Sequence, residues 1–264
     1  MKNFAVIGQD GRQQAAGEYL KKRGYGVYRA EGVHLADYIL LPMPLSADTV
    51  SQVQLLHAAA KGALAFGGKI SPEARAVAQS AGVELLDYLD REELAQHNAI
   101  PTVEGAIEIL LSQRQRTLWN TRVLVVGYGR IARLLCQRLA AFGARVTVAA
   151  RKPGARAAAE AMNYDACPLA QLNEAAPRAE VLINTVPAAV VTAFVLQNLP
   201  KGAFVLDLAS APGGVDQTAA KRLELNTVWA LSLPAKCAPV TAGEFVARTV
   251  LEMIAERGTQ EDED

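Results

Sequence analysis

The sequence predicts an α/β protein of two lobes, each built on a doubly wound parallel β-sheet, joined by a long helix. Short, fully apolar runs recur along the chain, as expected for strands that are buried on both faces of a parallel sheet. Amphipathic stretches of helical length separate these runs, which is typical of βαβ units. A longer helical stretch at 101–118 divides the chain, and the strand–helix pattern begins again after it.

The first half contains four predicted strands and three predicted helices. The strands are 4–7, 38–41, 63–66 and 83–86, and the helices are 13–22, 49–60 and 72–81. Pro42 and Pro44 end the second strand, since proline cannot donate to a central ladder. Ser71 is the expected N-cap of the third helix, and Pro72 suits its first position.

The second half repeats this pattern. The strands are 122–126, 146–149, 181–184, 204–208 and 227–230, and the helices are 130–142 and 242–257. The last helix is expected to pack back on the first lobe. The predicted domains are therefore 1–117 and 118–241, with 258–264 as a disordered acidic tail. Because ligands bind outside the carboxyl ends of parallel strands, we expect the active site in a cleft between the lobes.

Composition excludes several classes of protein. Lys plus Arg equals Asp plus Glu at 27 each, which argues against nucleic acid or an anionic membrane as a partner. Cys136, Cys167 and Cys237 are scattered and lack metal-ligand spacing, so neither a disulfide framework nor a metal site is expected. No secretory signal is recognisable, and polar residues interrupt the apolar stretch Val181–Leu196. These features indicate a soluble, cytoplasmic protein.

A glycine motif follows the strand at 122–126. Gly127, Gly129 and Ala132 form a G-x-G-x-x-A pattern between an apolar strand and an amphipathic helix. The first glycine permits a tight turn, the second permits close approach of a pyrophosphate, and the small third residue permits close helix–strand packing. The alternative is a strand–turn–helix with only a structural role. The expected cofactor contacts in this motif are Gly127, Tyr128, Gly129, Arg130 and Ile131.

The residues that follow the next strand, 146–149, indicate whether NAD or NADP is bound. NAD enzymes of this Rossmann type usually carry Asp or Glu there, to bind the ribose hydroxyls. Here the strand is followed by Arg151 and Lys152. A guanidinium can pair with a 2′-phosphate, so the sequence predicts NADP, with NAD possible. The alternative is that both residues are solvated loop charges.

Two later strands end in polar loops. The loop residues after such strands are positioned to contact the ribose and nicotinamide of a dinucleotide. The alternative is that they are ordinary turn residues. The candidates are Thr185, Val186, Pro187, Ala209 and Ser210.

Seven stretches, in order along most of the chain, resemble the A subunits of bacterial dipicolinate synthases. They are 5–13, 67–71, 98–105, the glycine motif, 183–187, 207–214 and 233–243. The stretches 98–105 and 233–243 are the most specific, because nothing in nucleotide binding requires them. The chain departs from the family between about Glu31 and Ala36, where it is shorter, and at Ala235, where a glycine is expected.

This resemblance implies a two-lobed fold like that of the 2-hydroxyacid dehydrogenases. It also implies oxidation of a dihydrodipicolinate-type precursor to pyridine-2,6-dicarboxylate in sporulating bacteria, with NAD(P) as acceptor. A flavoprotein-like B subunit is the implied partner, and a homo-oligomer is expected.

A dicarboxylate substrate requires cationic anchors. Arg12, Lys69 and Lys236 lie at predicted strand ends or in resemblance motifs and are the candidates, with plain surface charges as the alternative. Asn98 and Thr102 either orient the substrate or cap the helix at 101.

The reaction also requires a base. Glu104 and Asp10 are candidate catalytic residues, and Lys69 is a third. His97 is a weaker candidate, because a lone histidine is more often a packed residue than a catalyst.

Two other functions stay open. A 2-hydroxyacid dehydrogenase shares the fold, but it uses a histidine in its nucleotide half. Here His34, His57 and His97 all lie in the first half. A regulatory protein that senses NADP without turnover is the second alternative, since no clear acid/base pair is present.

Overall fold

The computed structural model describes residues 2–46 and 49–261. The chain forms two compact α/β units, one comprising the described residues up to Asn98 and from Pro234 onwards, the other Ala99–Leu233. The strands are β1 Asn3–Val6, β2 Gly26–Tyr28, β3 Tyr38–Leu40, β4 Leu64–Gly67, β5 Glu84–Asp87, β6 Arg122–Val126, β7 Arg145–Ala150, β8 Asp165–Pro168, β9 Val181–Asn184, β10 Phe204–Asp207 and β11 Asn226–Trp229. The helices are α1 Gly11–Lys22, α2 Val50–Val53, α3 Pro72–Ser80, α4 Glu92–Gln113, α5 Arg130–Ala141, α6 Pro153–Glu160, α7 Leu172–Ala175, α8 Ala193–Leu196, α9 Gln217–Arg222, α10 Leu233–Cys237 and α11 Pro239–Glu261.

The first unit is a parallel sheet in the order β2-β1-β3-β4-β5. Apolar side chains of the central strands fill cores on both faces of this sheet. Asp10 caps α1, and Ser71 caps α3 as predicted, by accepting a hydrogen bond from the backbone of Ala74. Charged and polar residues in the loops after β1 and β4 therefore lie at the carboxyl edge of the sheet.

Helix α11 packs along α1 within the first unit. Val246, Val250 and Met253 on α11 join the core that contains Phe4 and Leu20. The two helices approach each other closely at Gly243, where an added Cβ would collide with the backbone carbonyl oxygen of Arg12 and lie 2.9 Å from Ala15 Cβ. Only glycine fits there, so the motif 233–243 has a packing role next to the first turn of α1, which contains Arg12.

The second unit is a six-stranded parallel sheet in the order β11-β10-β9-β6-β7-β8. The strand order reverses between β6 and β9, so the loops after these two strands border the crevice where such folds bind ligands. With a doubly wound parallel sheet in each unit and the long α4, the predicted fold class is confirmed. No helix in the described part of the chain is long and apolar enough to cross a bilayer.

Several predicted boundaries were wrong. Helix α4 starts at Glu92, not at 101, so Pro101 lies inside the helix. The acidic residues Glu92 and Glu93 favour a helix start there, because they face the positive end of the helix dipole. Asn98 and Thr102 are consequently helix-interior residues and cannot cap a helix that starts at 101. The predicted boundary at 117–118 falls within the second unit.

Other elements also differ from prediction. The predicted helix 49–60 is one α-helical turn, α2, followed by a 3-10 segment, Gln54–Ala58. Strands β2 and β8 were not predicted, because both are short, half-exposed edge strands without an apolar run. Helix α11 runs from Pro239 to Glu261, beyond the predicted 242–257, and residues 262–264 of the predicted tail lie outside the described residues.

We expect Gly243→Ala to lower the free energy of unfolding by about 2–3 kcal/mol, since a helix backbone cannot move away as a flexible side chain can. Gly258→Ala on the same helix is the matched control, because a Cβ there meets nothing within 4 Å. The control should be neutral or stabilising by up to about 1 kcal/mol. Urea unfolding followed by circular dichroism measures both, and equal stability of the two variants would contradict the packing argument.

Candidate dinucleotide site and the loops that hold it

The turn after β6 requires glycine at position 127. Gly127 has φ +95°, and a Cβ there would lie 2.5 Å from Thr185 Oγ1 and 2.9 Å from Val186 Cγ2. Its N–H donates to the Ala149 carbonyl at 2.9 Å. Thr185 Oγ1 in turn donates to the Val126 carbonyl at 2.8 Å. The turn is thus tied to the strands on both sides of β6.

Gly129 has a different role. Its backbone is extended, and a Cβ there would meet nothing within 4 Å, so the space above it is open. Gly129 is the N-cap of α5 and makes no side-chain capping bond. First-turn amides of a helix carry partial positive charge and bind anions. Ala132 is fully buried, which allows α5 to pack closely on the sheet. These residues fit the pyrophosphate of a dinucleotide.

The side chain of Tyr128 is almost fully buried. Burial raises the pKa of its phenol. The Arg133 guanidinium lies 5.5 Å from the ring centroid, and its Nε donates to the Tyr128 carbonyl at 3.3 Å. Tyr128 can therefore offer a ligand its backbone more readily than its ring. Arg133 was not predicted.

The turn after β7 presents two exposed cations, Arg151 and Lys152, just before α6. Arg156, one turn into α6, donates from Nη1 to the carbonyls of Ala150 at 3.1 Å and Arg151 at 3.0 Å. Arg156 was also not predicted, and it fixes the backbone from which Arg151 projects. No carboxylate occurs in 151–154 to bind a ribose.

The loops after β9 and β10 are anchored on two fully buried polar residues. Asp207 accepts from Asn184 Nδ2 at 2.7 Å and from the backbone amides of Ala209, Gly214 and Val215 at 3.0, 2.8 and 3.1 Å. Asn184 also donates to the Val186 carbonyl at 3.0 Å and accepts from the Val186 amide at 3.1 Å.

This anchoring divides the predicted cofactor contacts in these loops into residues that are buried or bonded within the protein and residues that are exposed. The hydroxyl of Thr185 is used inside the sheet, and Val186 is half-buried. Ala209 is buried, with its amide on Asp207 and its carbonyl accepting from Trp229 Nε1 at 2.9 Å. Pro187 and Ser210 are exposed and remain the residues most able to contact a ligand.

In the first unit, Arg12 and Asp10 form an ion pair after β1. Arg12 Nη2 lies 2.9 Å from Asp10 Oδ2 and donates to the Met43 carbonyl at 3.1 Å. Burial raises the pKa of the Asp10 carboxyl, but hydrogen bonds from Arg12 and from the Gln13 backbone, with the Arg12 charge, hold it below its usual range. Asp10 is therefore better suited to holding Arg12 than to accepting a proton.

Lys69 lies in a strained turn after β4. Its φ is +53°, and its side chain is exposed. Asp87 accepts hydrogen bonds from the amides of Lys69 at 3.2 Å, Ile70 at 3.0 Å and Leu89 at 2.9 Å. A Cβ on Gly68 would lie 2.5 Å from Tyr88 Cε2, so glycine is required beside Lys69.

The remaining predicted residues lie on helices. Asn98 and Thr102 are half-buried on α4, and Glu104 is exposed there. Lys236 is exposed on α10. His97 stacks on Phe245 with ring centroids 4.6 Å apart, which gives it a packing role. Among the described residues, no cluster of His, Cys, Asp or Glu could hold a metal ion.

The glycine turn lies within a segment that matches a known protein family. The family model for the NAD-binding domain of D-isomer specific 2-hydroxyacid dehydrogenases matches residues 102–226. The A subunit of dipicolinate synthase from Bacillus subtilis (strain 168) is 31% identical over 196 residues, which cover 74% of this chain and 66% of that protein. The aligned region thus spans about two thirds of the relative's length.

Solved structures agree with these matches. The A subunit of dipicolinate synthase from Bacillus halodurans has a TM-score of 0.87 at 26% identity, covering 96% of this chain and 98% of that one. The Bacillus subtilis structure has the same TM-score and identity, covering 98% and 97%. This chain belongs to the family of dipicolinate synthase A subunits. It is an oxidoreductase of the dehydrogenase type, and its cofactor is a nicotinamide dinucleotide.

We expect Asp207→Asn to lower the melting temperature by about 10 °C, or roughly 3 kcal/mol, because the new NH2 group would face donors and leave buried groups unpaired. Asp216→Asn is the matched control, since Asp216 only caps α9 and asparagine caps as well as aspartate. Thermal unfolding followed by tryptophan fluorescence compares the two variants, since Trp229 hydrogen-bonds this loop. Equal melting temperatures would show that the charge of Asp207 does not hold the loops.

Proposed function

We propose that this chain is the dinucleotide-binding subunit of a dehydrogenase that converts a dihydrodipicolinate-type ring into pyridine-2,6-dicarboxylate. The relatives are named as dipicolinate synthase A subunits. The chain carries a dinucleotide turn in one unit and cationic residues in strand-end loops of the other. The observation that carries the proposal is the open N-terminus of α5 above Gly129, beside a β7 end that presents cations. We place the enzyme in the cytoplasm, working as a homo-oligomer together with a flavoprotein-like B subunit.

In this reaction the ring loses a hydride and a proton, and the oxidised nicotinamide, when bound, accepts the hydride. The backbone amides of Gly129, Arg130 and Ile131 would hold the pyrophosphate at the helix N-terminus. Pro187 and Ser210, on the loops anchored by Asp207, would contact the nicotinamide half of the cofactor.

The chain's own side chains bind the substrate and take the proton. Arg12 and Lys69 bind the ring carboxylates from loops fixed by Asp10 and Asp87, and Lys236, Asn98 and Thr102 complete the substrate contacts. Glu104 is the proposed base, because it is an exposed carboxylate on α4, and Lys69 is the alternative. Asp10 acts through the position of Arg12, given its lowered pKa.

The second candidate function is a 2-hydroxyacid dehydrogenase, which the family match favours. Such an enzyme uses an imidazole in its nucleotide-binding half. The unit that contains the glycine motif, Ala99–Leu233, has no histidine. Lactate or glycerate oxidation without product from the dihydropyridine substrate would support this second function.

We propose that NADP is preferred over NAD through Arg151. Arg151→Asp should weaken NADP binding about 30-fold or more and leave NAD binding equal or tighter, since a carboxylate repels the 2′-phosphate. Arg145→Asp is the matched control, because it makes the same charge change at the other end of β7. Calorimetric titration measures each affinity. Gly129→Val should abolish binding of both nucleotides by filling the open space.

Equal effects of Arg151→Asp on both nucleotides would contradict the NADP assignment. Unchanged binding in Gly129→Val would contradict the site itself.

The substrate role of the cations can be tested by neutralisation. We expect Arg12→Gln or Lys69→Gln to lower product formation about 100-fold each, and the pair to abolish it, while NADPH affinity stays unchanged. Lys22→Gln, an exposed charge at the end of α1, is the control. Pyridine-2,6-dicarboxylate is assayed with and without the B subunit. Full activity of the double variant would favour the NADP-sensing alternative.

A further inference from the structure

A cavity in the Ala99–Leu233 unit lies at the edge of the sheet opposite the glycine turn. Its lining includes Arg122, Phe204 and Asn226, which are the first residues of β6, β10 and β11, and Glu180, which precedes β9. The strands are parallel, so the cavity lies at their amino-terminal ends, whereas Gly127 follows a carboxyl end. Its volume is about 490 Å³. Cavities of this size hold small molecules.

The charges that line this cavity are predominantly positive. Arg114, Arg116, Arg122 and Lys201 face one carboxylate, that of Glu180. Glu180 is already paired, because its Oε2 accepts from the Arg122 amide at 3.1 Å and lies 3.6 Å from Arg122 Nη2. The other three cations make no ion pair with any described residue. They leave a strong positive field in a concave site.

One of these cations also has a buried donor without an acceptor. Nη1 of Arg114 is inaccessible to solvent and has no hydrogen-bond partner in the described part of the chain. Burial lowers the pKa of Arg114; Glu180 opposes this shift, and the neighbouring Arg116 adds to it. Because Nη1 is enclosed by the protein, it does not itself reach the cavity. Arg114 contributes to the cavity as a lining cation whose charge no described residue pairs.

An adjoining cavity of about 460 Å³ shares Arg116, Arg122 and Glu180 with the first. It adds the indole of Trp119, which is 73% exposed. The ring lies against Gly143, where a Cβ would be 2.7 Å from Trp119 Cδ1. A supported but solvent-exposed indole beside guanidinium groups suits a planar ring attached to an anion.

We propose that this basic cavity binds a small polyanion, with phosphate or carboxylate groups between Arg114, Arg116 and Lys201 and a planar ring on Trp119. Nucleoside phosphates and aromatic dicarboxylates share this chemistry. The site is separate from the dinucleotide turn and does not depend on the proposed reaction.

The test is calorimetric titration of the full chain with ATP, pyrophosphate and pyridine-2,6-dicarboxylate, first with saturating NADPH and then in the Gly129→Val background. At least one probe should bind saturably under both conditions. The variant Arg114→Gln/Arg116→Gln should weaken that binding about 30-fold or more. Trp119→Ala should weaken the ring-bearing probes and leave pyrophosphate unchanged. The matched control is Arg138→Gln/Arg222→Gln, which removes two exposed arginines outside the cavity.

Preserved NADPH binding in the Arg114→Gln/Arg116→Gln variant shows that the unit is folded. No saturable binding of any probe at about 1 mM, equal loss in the control, or displacement by NADPH would each overturn the proposal. Failure of the proposed function is read separately, as loss of NADPH binding or of product formation.

Discussion

The carboxylate of Asp207 is fully buried at the end of β10, and the two loops that border the dinucleotide crevice are fixed by it. A buried charge is unfavourable unless hydrogen bonds replace its hydration. Here four donors do so, from Asn184 and from the amides of Ala209, Gly214 and Val215. All four groups are donors, so a carboxylate, which only accepts, fits this position and an amide does not. These hydrogen bonds thereby hold the irregular backbone of the two loops in place, although neither helix nor strand is formed there.

The first unit uses the same device twice. Asp10 binds the start of α1 and the Arg12 side chain, and Asp87 binds the amides of the turn that carries Lys69. In each case an acidic side chain stabilises a turn whose neighbouring residue offers a positive charge. The cations are thus presented from backbone that is already ordered, which lowers the entropy lost when an anion binds. The left-handed conformation of Lys69 persists because Asp87 holds both of the amides that define it.

The sequence predicts those features that depend on local pattern. Strands β6 and β9 were predicted to the residue, because each is an apolar run bounded by polar residues. The glycine turn was predictable because the backbone at position 127, with φ +95°, accepts few residues other than glycine. The requirement is therefore visible in the sequence. The edge strand β8 was missed, since half-exposed strands carry no such run. Asp87 and Asp207 were not predicted as anchors. Lys69 lies 18 residues from Asp87 and Asn184 lies 23 residues from Asp207, so the fold brings these partners together.

Both edges of the six-stranded sheet carry cations, and helix geometry accounts for part of the positive charge at the amino-terminal edge. In a doubly wound sheet, helices start near the carboxyl ends of the strands and finish near the amino ends, where their negative poles attract cations. Arg114 follows the last residue of α4, so the helix dipole explains why a basic residue is favourable there. It does not explain Arg116 and Lys201, which line the same cavity but do not lie at the end of α4. The dipole therefore accounts for one cation of this cavity, and the proposed polyanion would balance the charge of the others.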